Sequence, residues 1–545
     1  MIYDYIVVGS GFGGSVASLR LAEKGYSVLT IEKGKRYRSE DFPETNWNLP
    51  KHLWYPRIGM FGILKLSFFS EASILSGVGV GGGSLVYANT LVKPPDEFFQ
   101  NPSWSEFKDW KKILEPYYET AGFMLGRKKY DKLNYEDEIL KEVAKDFNRE
   151  DTFEAVHVGV YFGDKENEID PYFNGLGPKR KGCTECAGCM VGCRDNAKNS
   201  LDKNYLYFAE KMGVFIQAET KVEKIICKDN LYHVFTYSGA SLFKKKPTVY
   251  RSKGLVISGG TLGTLDLLLK QKYKYKTMPA ISEKLGYELR TNSQTLCAVS
   301  GAKEKLNNGI AITSVFNPDS HTHVEIVKYP DKSNAMKWFF TLSAEGNTNP
   351  LIRVFKLFYK TLTHPLQFIK TVFNFNWSAN LIVFLVMQTI DNSMQMIWTG
   401  NVFGGRIKIR NRGEKKVPAY IAQGQKVMEN YAKKVHGIPQ NIILEIFLNR
   451  PTTAHIIGGC PMSDSAESGV VNEKFEVHGY DNMYIIDGSV IQGNLGMNPA
   501  YTITAIAEYA MDQIPGKPGN RTISVLEQMK IISRQSREKR QKLAT

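Results

Sequence analysis

No leader precedes the first strand. MIYDYIVVGSG enters an apolar run at once, without a basic stretch, an apolar signal core or a small-residue cleavage site, and this points to a cytoplasmic protein. Internal repeats and low-complexity linkers are missing too, so domain borders follow only from motif positions. Cysteine is sparse outside one stretch: of seven, four lie between Cys183 and Cys193, while Cys227, Cys297 and Cys460 are scattered. A secreted disulfide framework would space them more evenly. The net charge of +15 is spread along the chain with no zinc-finger or RNA-recognition signature, so nucleic acid is not an expected partner. An anionic membrane face or an acidic protein fits that charge better. Thr371 to Ile390 lacks charge, but its asparagines and Gln388 make it a poor membrane span and a better buried strand.

What is present starts with size. A chain of 545 residues, 43% hydrophobic, can bury a large core in two or three domains. Tyr5 to Val8 pass directly into Gly9, Gly11 and Gly14, and Ser15 to Lys24 then has helical composition ending at Gly25. A second apolar run, Ser27 to Ile31, stops at Glu32. Strand, glycine turn, helix, second strand and terminal carboxylate form the dinucleotide-binding pattern. The glycines let the backbone approach a pyrophosphate at a helix N-terminus, and the carboxylate holds a ribose hydroxyl. An acidic residue at that place favours an unphosphorylated ribose, as in FAD or NAD.

Four later blocks narrow the choice. GVGVGGGSLVYAN, Gly77 to Asn89, is a second glycine-dense loop able to lie against a flat ring or a diphosphate. VISGGTLGTLDLLL, Val256 to Leu269, again reads as strand, glycine turn and helix. TAHIIGGCPM, Thr453 to Met462, sets a histidine before a glycine pair. In Ile485 to Ala510 a strand ends at Asp487-Gly488, and Asn498-Pro499 opens a helix. In this order the blocks resemble the glucose–methanol–choline (GMC) family of flavin oxidoreductases, in its cholesterol-oxidase-like branch.

The resemblance implies an α/β fold: a discontinuous Rossmann-like FAD-binding domain (1–95, 200–298 and 450–515) interleaved with an antiparallel-sheet α+β substrate domain (299–449). Residues 96–199 are then an insert with the cysteine cluster, and 516–545 a basic tail. It further implies that Gly9, Gly11, Gly14 and Glu32 hold the ADP half of FAD. Gly81, Gly82 and Ser84 line the flavin, Val222 sits by the adenine, and Asp487, Gly488, Asn498 and Pro499 meet the rest of the cofactor. Oxidising an alcohol sends a hydride to the flavin and a proton to a base, and a neutral imidazole suits the second task. The resemblance assigns that role to His455, with Asn498 donating to the developing alkoxide. Relatives of this branch also isomerise their product with a glutamate. No acidic residue occurs from Gly346 to Ile390, where Gln388 follows the apolar strand, so no glutamate is assigned.

Cys183, Cys186, Cys189 and Cys193 have the spacing of a bacterial ferredoxin run without its terminal proline, Arg194 standing there instead. An iron–sulfur cluster and a plain thiol or disulfide-stapled loop are both open readings. With a cluster, the chain is a dehydrogenase passing electrons to a membrane quinone or cytochrome; without one, an oxidase reducing oxygen. Pro350 to Trp377 reads as a basic amphipathic helix, with Arg353, Lys356 and Lys360 at helical spacing. Such a helix lies on anionic lipid as a peripheral membrane contact, or serves as a lid of the substrate domain. His52 to Leu75 is similarly apolar, and Lys530 to Lys542 forms a basic tail. The expected substrate is a hydrophobic alcohol, sterol-like or long-chain.

Overall fold

The computed structural model describes residues 1–239, 247–344, 346, 349–400, 405–412 and 416–544. Its first sheet grows around the opening strand Ile2–Val8, which pairs in parallel with Val28–Ile31 on one side and Thr248–Ile257 on the other. Phe215–Gln217 extends it beyond Val28–Ile31, and Met483–Ile485 pairs with the carboxyl end of Thr248–Ile257. All five run parallel. Helices Phe12–Glu23 and Ala500–Asp512 pack together over this sheet, leaving Ile6, Val7, Leu255, Val256 and Ile257 without exposed surface. Burial on both faces is why these strands read as unbroken apolar runs. The antiparallel hairpin Thr220–Lys228 and Leu231–Ser238 completes the sheet. Residues from both ends of the chain thus share one Rossmann-like layer.

The second sheet is antiparallel. Its seven strands run in the order Phe340–Leu342, Ile438–Ile442, Thr295–Ser300, Ile382–Gln388, Thr322–Val327, Ile312–Phe316 and Glu154–Ala155. Side chains alternate between its faces. Ile382, Phe384 and Val386 join a core with helices Tyr135–Asp146 and Ala422–Lys434, whereas Val383, Leu385 and Met387 turn into a separate apolar cluster. The uncharged run around Leu381 to Met387 is therefore a central buried strand. Two placements bear on the domain borders. Thr295–Ser300 pairs only within this sheet, so position 298 falls inside a strand, and the stretch 96–199 supplies a helix and an edge strand to the same layer.

The stretch from Pro350 forms two helices, Pro350–Thr363 and Pro365–Val372, each with proline in its first turn. Their orientation reverses part of the expected one. Arg353 is buried and donates to the Glu445 carbonyl at 3.0 Å, while the Lys360 amine donates to the Ser343 carbonyl at 2.9 Å. The apolar side faces outward instead: Leu351 is 79% exposed, Phe355 71%, Leu366 72% and Phe375 79%. Arg353 and Lys360 turn inward to these carbonyl acceptors, while Lys356 stays exposed. His52 to Leu75 is no helix but mainly a hairpin, Leu64–Phe68 with Ser73–Gly77. The basic tail lies in helix Val525–Ala544, and its side chains beyond Gln535 fall outside the described residues. Among the described residues no helix is long and apolar enough to cross a membrane.

Candidate active site

At the carboxyl edge of the first sheet, Gly9 turns the chain at φ +100°, and a Cβ there would meet the Ser258 carbonyl oxygen at 2.2 Å. Gly14 is equally confined, against the Gly9 carbonyl oxygen at 2.0 Å. Gly11 differs: a Cβ on it would find nothing within 4 Å, so this glycine faces open space at the head of helix Phe12–Glu23. That helix has no side-chain cap, nor have Thr261–Leu269 and Ala500–Asp512. Uncapped N–H groups beside an open glycine form a cradle suited to a pyrophosphate. The second glycine loop closes on the first, since a Cβ on Gly82 would stand 2.7 Å from the Gly11 Cα. Gly81, at φ +105°, accepts the Ser84 hydroxyl at 2.7 Å, and that hydroxyl accepts the Leu201 N–H at 3.1 Å. Ser84 thus braces the loop from within.

The other expected cofactor residues lie around the same edge. Glu32 accepts from the Ser10 hydroxyl at 2.8 Å and from the Gly34 N–H at 2.9 Å, which fixes its carboxylate at the end of the second strand. Val222 is buried on the hairpin, opposite Thr236. Asp487 accepts the Thr264 hydroxyl at 2.5 Å and the Ser489 N–H at 2.8 Å, and burial raises its pKa. Gly488 accepts the Gly458 N–H at 2.8 Å, joining this turn to the loop that carries His455. Pro499 is the cap residue of the last long helix. The donors, open glycine and buried carboxylates are the set that an FAD ADP half requires.

His455 follows a short strand, Thr452–Thr453, that pairs with Ser73–Gly77. Its backbone N–H donates to the Thr453 hydroxyl at 2.9 Å, and that hydroxyl donates onward to the Thr291 carbonyl at 2.9 Å. The ring Nδ1 is buried without a partner, and burial lowers the imidazole pKa to about 4, so the ring is neutral at physiological pH. The segment 290–294 ties this loop to Asn498: Arg290 bonds Ile457 through its backbone, and Asn292 bonds Gly496 and Met497. Asn498 donates to Glu325 at 3.3 Å and keeps its Oδ1 unpartnered. Glu325, wholly buried on Thr322–Val327, is a carboxylate that sequence reasoning did not single out. A buried Glu within an otherwise apolar strand, VEIV, was its only signal. Asn89, at the end of the second glycine loop, also escaped notice; its amide is buried with neither atom partnered.

Beside these groups opens an apolar cleft. Leu66, Phe68 and Leu75 of the hairpin face Leu296, Phe340 and Ile442 of the second sheet, and Thr452 brings it to the histidine loop. Its free volume is about 40 Å³, far below the several hundred Å³ of sites that enclose a drug-sized ligand.

Two family models described as GMC oxidoreductase match the chain, one over residues 176–286 and the other over 407–507, and a Rossmann-like NAD(P)-binding model matches 7–55. A cholesterol oxidase of Acinetobacter baumannii is 39% identical over 94% of this chain and 95% of its own length. The chain belongs to the GMC oxidoreductase family. A cholesterol oxidase of Mycobacterium tuberculosis is 38% identical over 94% of this chain and 91% of its own, and a long-chain-alcohol oxidase of Arabidopsis thaliana 24% over 95% and 68%. Among solved structures, the fold matches pyridoxine 4-oxidase from Mesorbium loti with a TM-score of 0.60 at 12% identity, covering 94% of this chain and 98% of that one. As a GMC oxidoreductase the protein is an FAD-dependent enzyme acting on the CH–OH group of an alcohol.

The cysteine loop is fastened by backbone hydrogen bonds to two separate segments. Cys183 N–H bonds the Tyr161 carbonyl and Ala187 N–H bonds that of Gly309, so separate segments stitch the loop at two points. Glu185 and Ala187 adopt positive φ. All four thiols are free, and burial pushes those of Cys183 and Cys189 up, the latter to about 11. Among the described residues no three His, Cys, Asp or Glu side chains are grouped to hold a metal ion. Beneath the loop, buried Lys198 donates to the carbonyls of Leu85 at 3.1 Å, Tyr87 at 2.8 Å and Cys189 at 2.8 Å. This bracket fastens the cysteine loop to the second glycine loop.

Proposed function

We propose that the enzyme oxidises a hydrophobic alcohol, sterol-like or long-chain, with His455 as the base. The observation that carries this reading is a neutral imidazole with an unpartnered Nδ1 on the loop that Thr452 joins to the wall of an apolar cleft. FAD, held by Gly9, Gly11, Gly14, Glu32, Gly81, Gly82, Val222, Asp487, Gly488 and Pro499, with Ser84 bracing the loop, supplies the hydride acceptor. His455 takes the hydroxyl proton. The free N–H of Asn498 stabilises the oxygen as its charge develops. The cleft walls hold the hydrocarbon and exclude water, and its small volume requires the hairpin to part from the second sheet before a sterol enters.

Glu325 extends the reading to isomerisation. Once a β,γ-unsaturated ketone forms, a carboxylate can take the proton from the carbon between ketone and alkene and return it at the far end of the alkene. The electron pairs shift with it to leave a conjugated enone. Relatives of 38 and 39% identity named cholesterol oxidase, and one of 24% named long-chain-alcohol oxidase, support oxygen as the acceptor. The alternative, an iron–sulfur dehydrogenase serving a membrane quinone or cytochrome, rests on the cysteine spacing alone. Peripheral membrane contact is part of the preferred reading: the helices Pro350–Thr363 and Pro365–Val372, whose apolar side faces outward, pack on strand Phe340–Leu342, and Phe340 lines the cleft.

Anaerobic reduction of the bound flavin by a panel of sterols, long-chain alcohols and sugars, with iron analysis of the same sample, tests this. Sterols or long-chain alcohols should bleach the flavin, sugars should not, and iron should be substoichiometric. Bleaching by sugars alone would remove the hydrophobic substrate, and tightly bound iron with no oxygen consumption would install the alternative.

A further inference from the structure

His323 stands two residues before Glu325 on Thr322–Val327, so both side chains leave the same face of the strand. Both are buried. The ring Nδ1 lies 2.8 Å from Asn317 Oδ1, and the ring Nε2 lies 3.2 Å from Glu325 Oε1, while Glu325 Oε2 accepts from Asn498 at 3.3 Å. Asn317 is itself braced, its N–H donating to the Thr152 hydroxyl at 3.0 Å and its carbonyl accepting from Arg149 at 3.1 Å.

An amide oxygen only accepts, so Nδ1 carries a hydrogen. Nε2 and Oε1 then face each other with one proton between them, because two lone pairs at that distance would repel. Histidine and glutamate together hold a single shared proton, and the pair is neutral overall whichever partner carries it. A carboxylate can therefore exist in this dry position without an uncompensated charge. Opposite the pair on the flanking strands stand Val315, Leu385 and Met387, and Asn317 and Asn498 are hydrogen-bonded at its two ends. None of them titrates.

We infer that His323 is a positioning residue that orients Glu325 and sets its proton content, so that the carboxylate can lift and return a proton next to a ketone. This rests on the reading of Glu325 as the isomerising base.

The test uses the flavin-loaded full chain and two assays. One follows conversion of a 3-oxo-Δ5 steroid to its conjugated isomer, which needs no redox step; the other follows anaerobic flavin reduction by the 3β-hydroxy steroid. In His323→Leu the ratio of isomerisation to oxidation should fall about tenfold or more, since one pKa unit changes the ionised fraction of a base about tenfold. His323→Gln, which keeps a hydrogen-bond partner for Glu325, should recover part of the isomerisation rate, as a purely space-filling role would not require. It also guards against His323→Leu failing to fold. Wild-type ratios of isomerisation to oxidation in both variants would overturn the assignment of His323 alone. If the wild-type chain fails to isomerise the ketone, the reading of Glu325 falls, and this inference with it.

Discussion

In the dinucleotide pattern Gly11 serves close approach to a pyrophosphate and Gly14 the packing of helix on strand, and their surroundings differ accordingly. Gly14→Ala pushes a methyl into the Gly9 carbonyl and should lower the melting temperature by several degrees, whereas Gly11→Ala meets only open space. Gly11→Ala should therefore melt normally without cofactor yet retain little flavin, as visible absorbance of the purified protein would show. His455→Ala should keep its flavin and lose alcohol-driven reduction by roughly 10²–10⁴-fold, the usual scale for a removed general base. Burial lowers the His455 pKa to about 4, so the imidazole is already neutral well below pH 7. The rate of flavin reduction should stay level from neutral pH down to about 5 and fall as pH drops through 4. A fall centred near 6.5 would mean that the ring is solvated.

Among the elements, the paired helices after Pro350 carry the clearest signal. A surface of this extent, with exposed Leu351, Phe355, Leu366 and Phe375 and no acidic residue from Gly346 to Ile390, suits a lipid bilayer. The full-length enzyme should sediment with neutral phosphatidylcholine vesicles. Replacing Phe355 and Leu366 by serine should release it while leaving turnover of a detergent-dispersed alcohol intact; persistent sedimentation of that variant would exclude these helices as the contact. Burial also raises Glu445, beneath Arg353, to about 8, and Arg353 offsets this only in part. The folded state holds this proton between pH 4.5 and 8 while the unfolded chain does not, so stability falls as pH rises across that window. In Glu445→Gln the denaturation midpoint should change less between pH 5 and pH 8.

On the scale of the whole molecule, the cradle joins residues 9–14, 79–84, 258–264 and 486–489, drawn from both ends and the middle of the chain. A ligand that bridges them stabilises the native state alone. At a hundredfold excess over its dissociation constant FAD contributes about 2.7 kcal/mol. Deflavinated protein should accordingly melt several degrees lower and regain the difference when FAD is restored.

Much of this was legible residue by residue. Glycine spacing, strand-like apolar runs and the histidine before a glycine pair depend on local backbone geometry, and local geometry is written in adjacent residues. The amphipathic character of Pro350 to Trp377 was equally plain, but which of its sides faced the protein was not, because the answer depended on the carbonyls of Ser343 and Glu445. Glu325 and His323 lie more than a hundred residues before the histidine and asparagine loops, and strand register alone brings the carboxylate to Asn498. Sequence by itself determined the fold family and the glycine turns, whose geometry is local and repeated in recognisable blocks. Tertiary structure decided the partner of each buried polar group, since a hydrogen bond between distant segments exists only once both sheets are assembled.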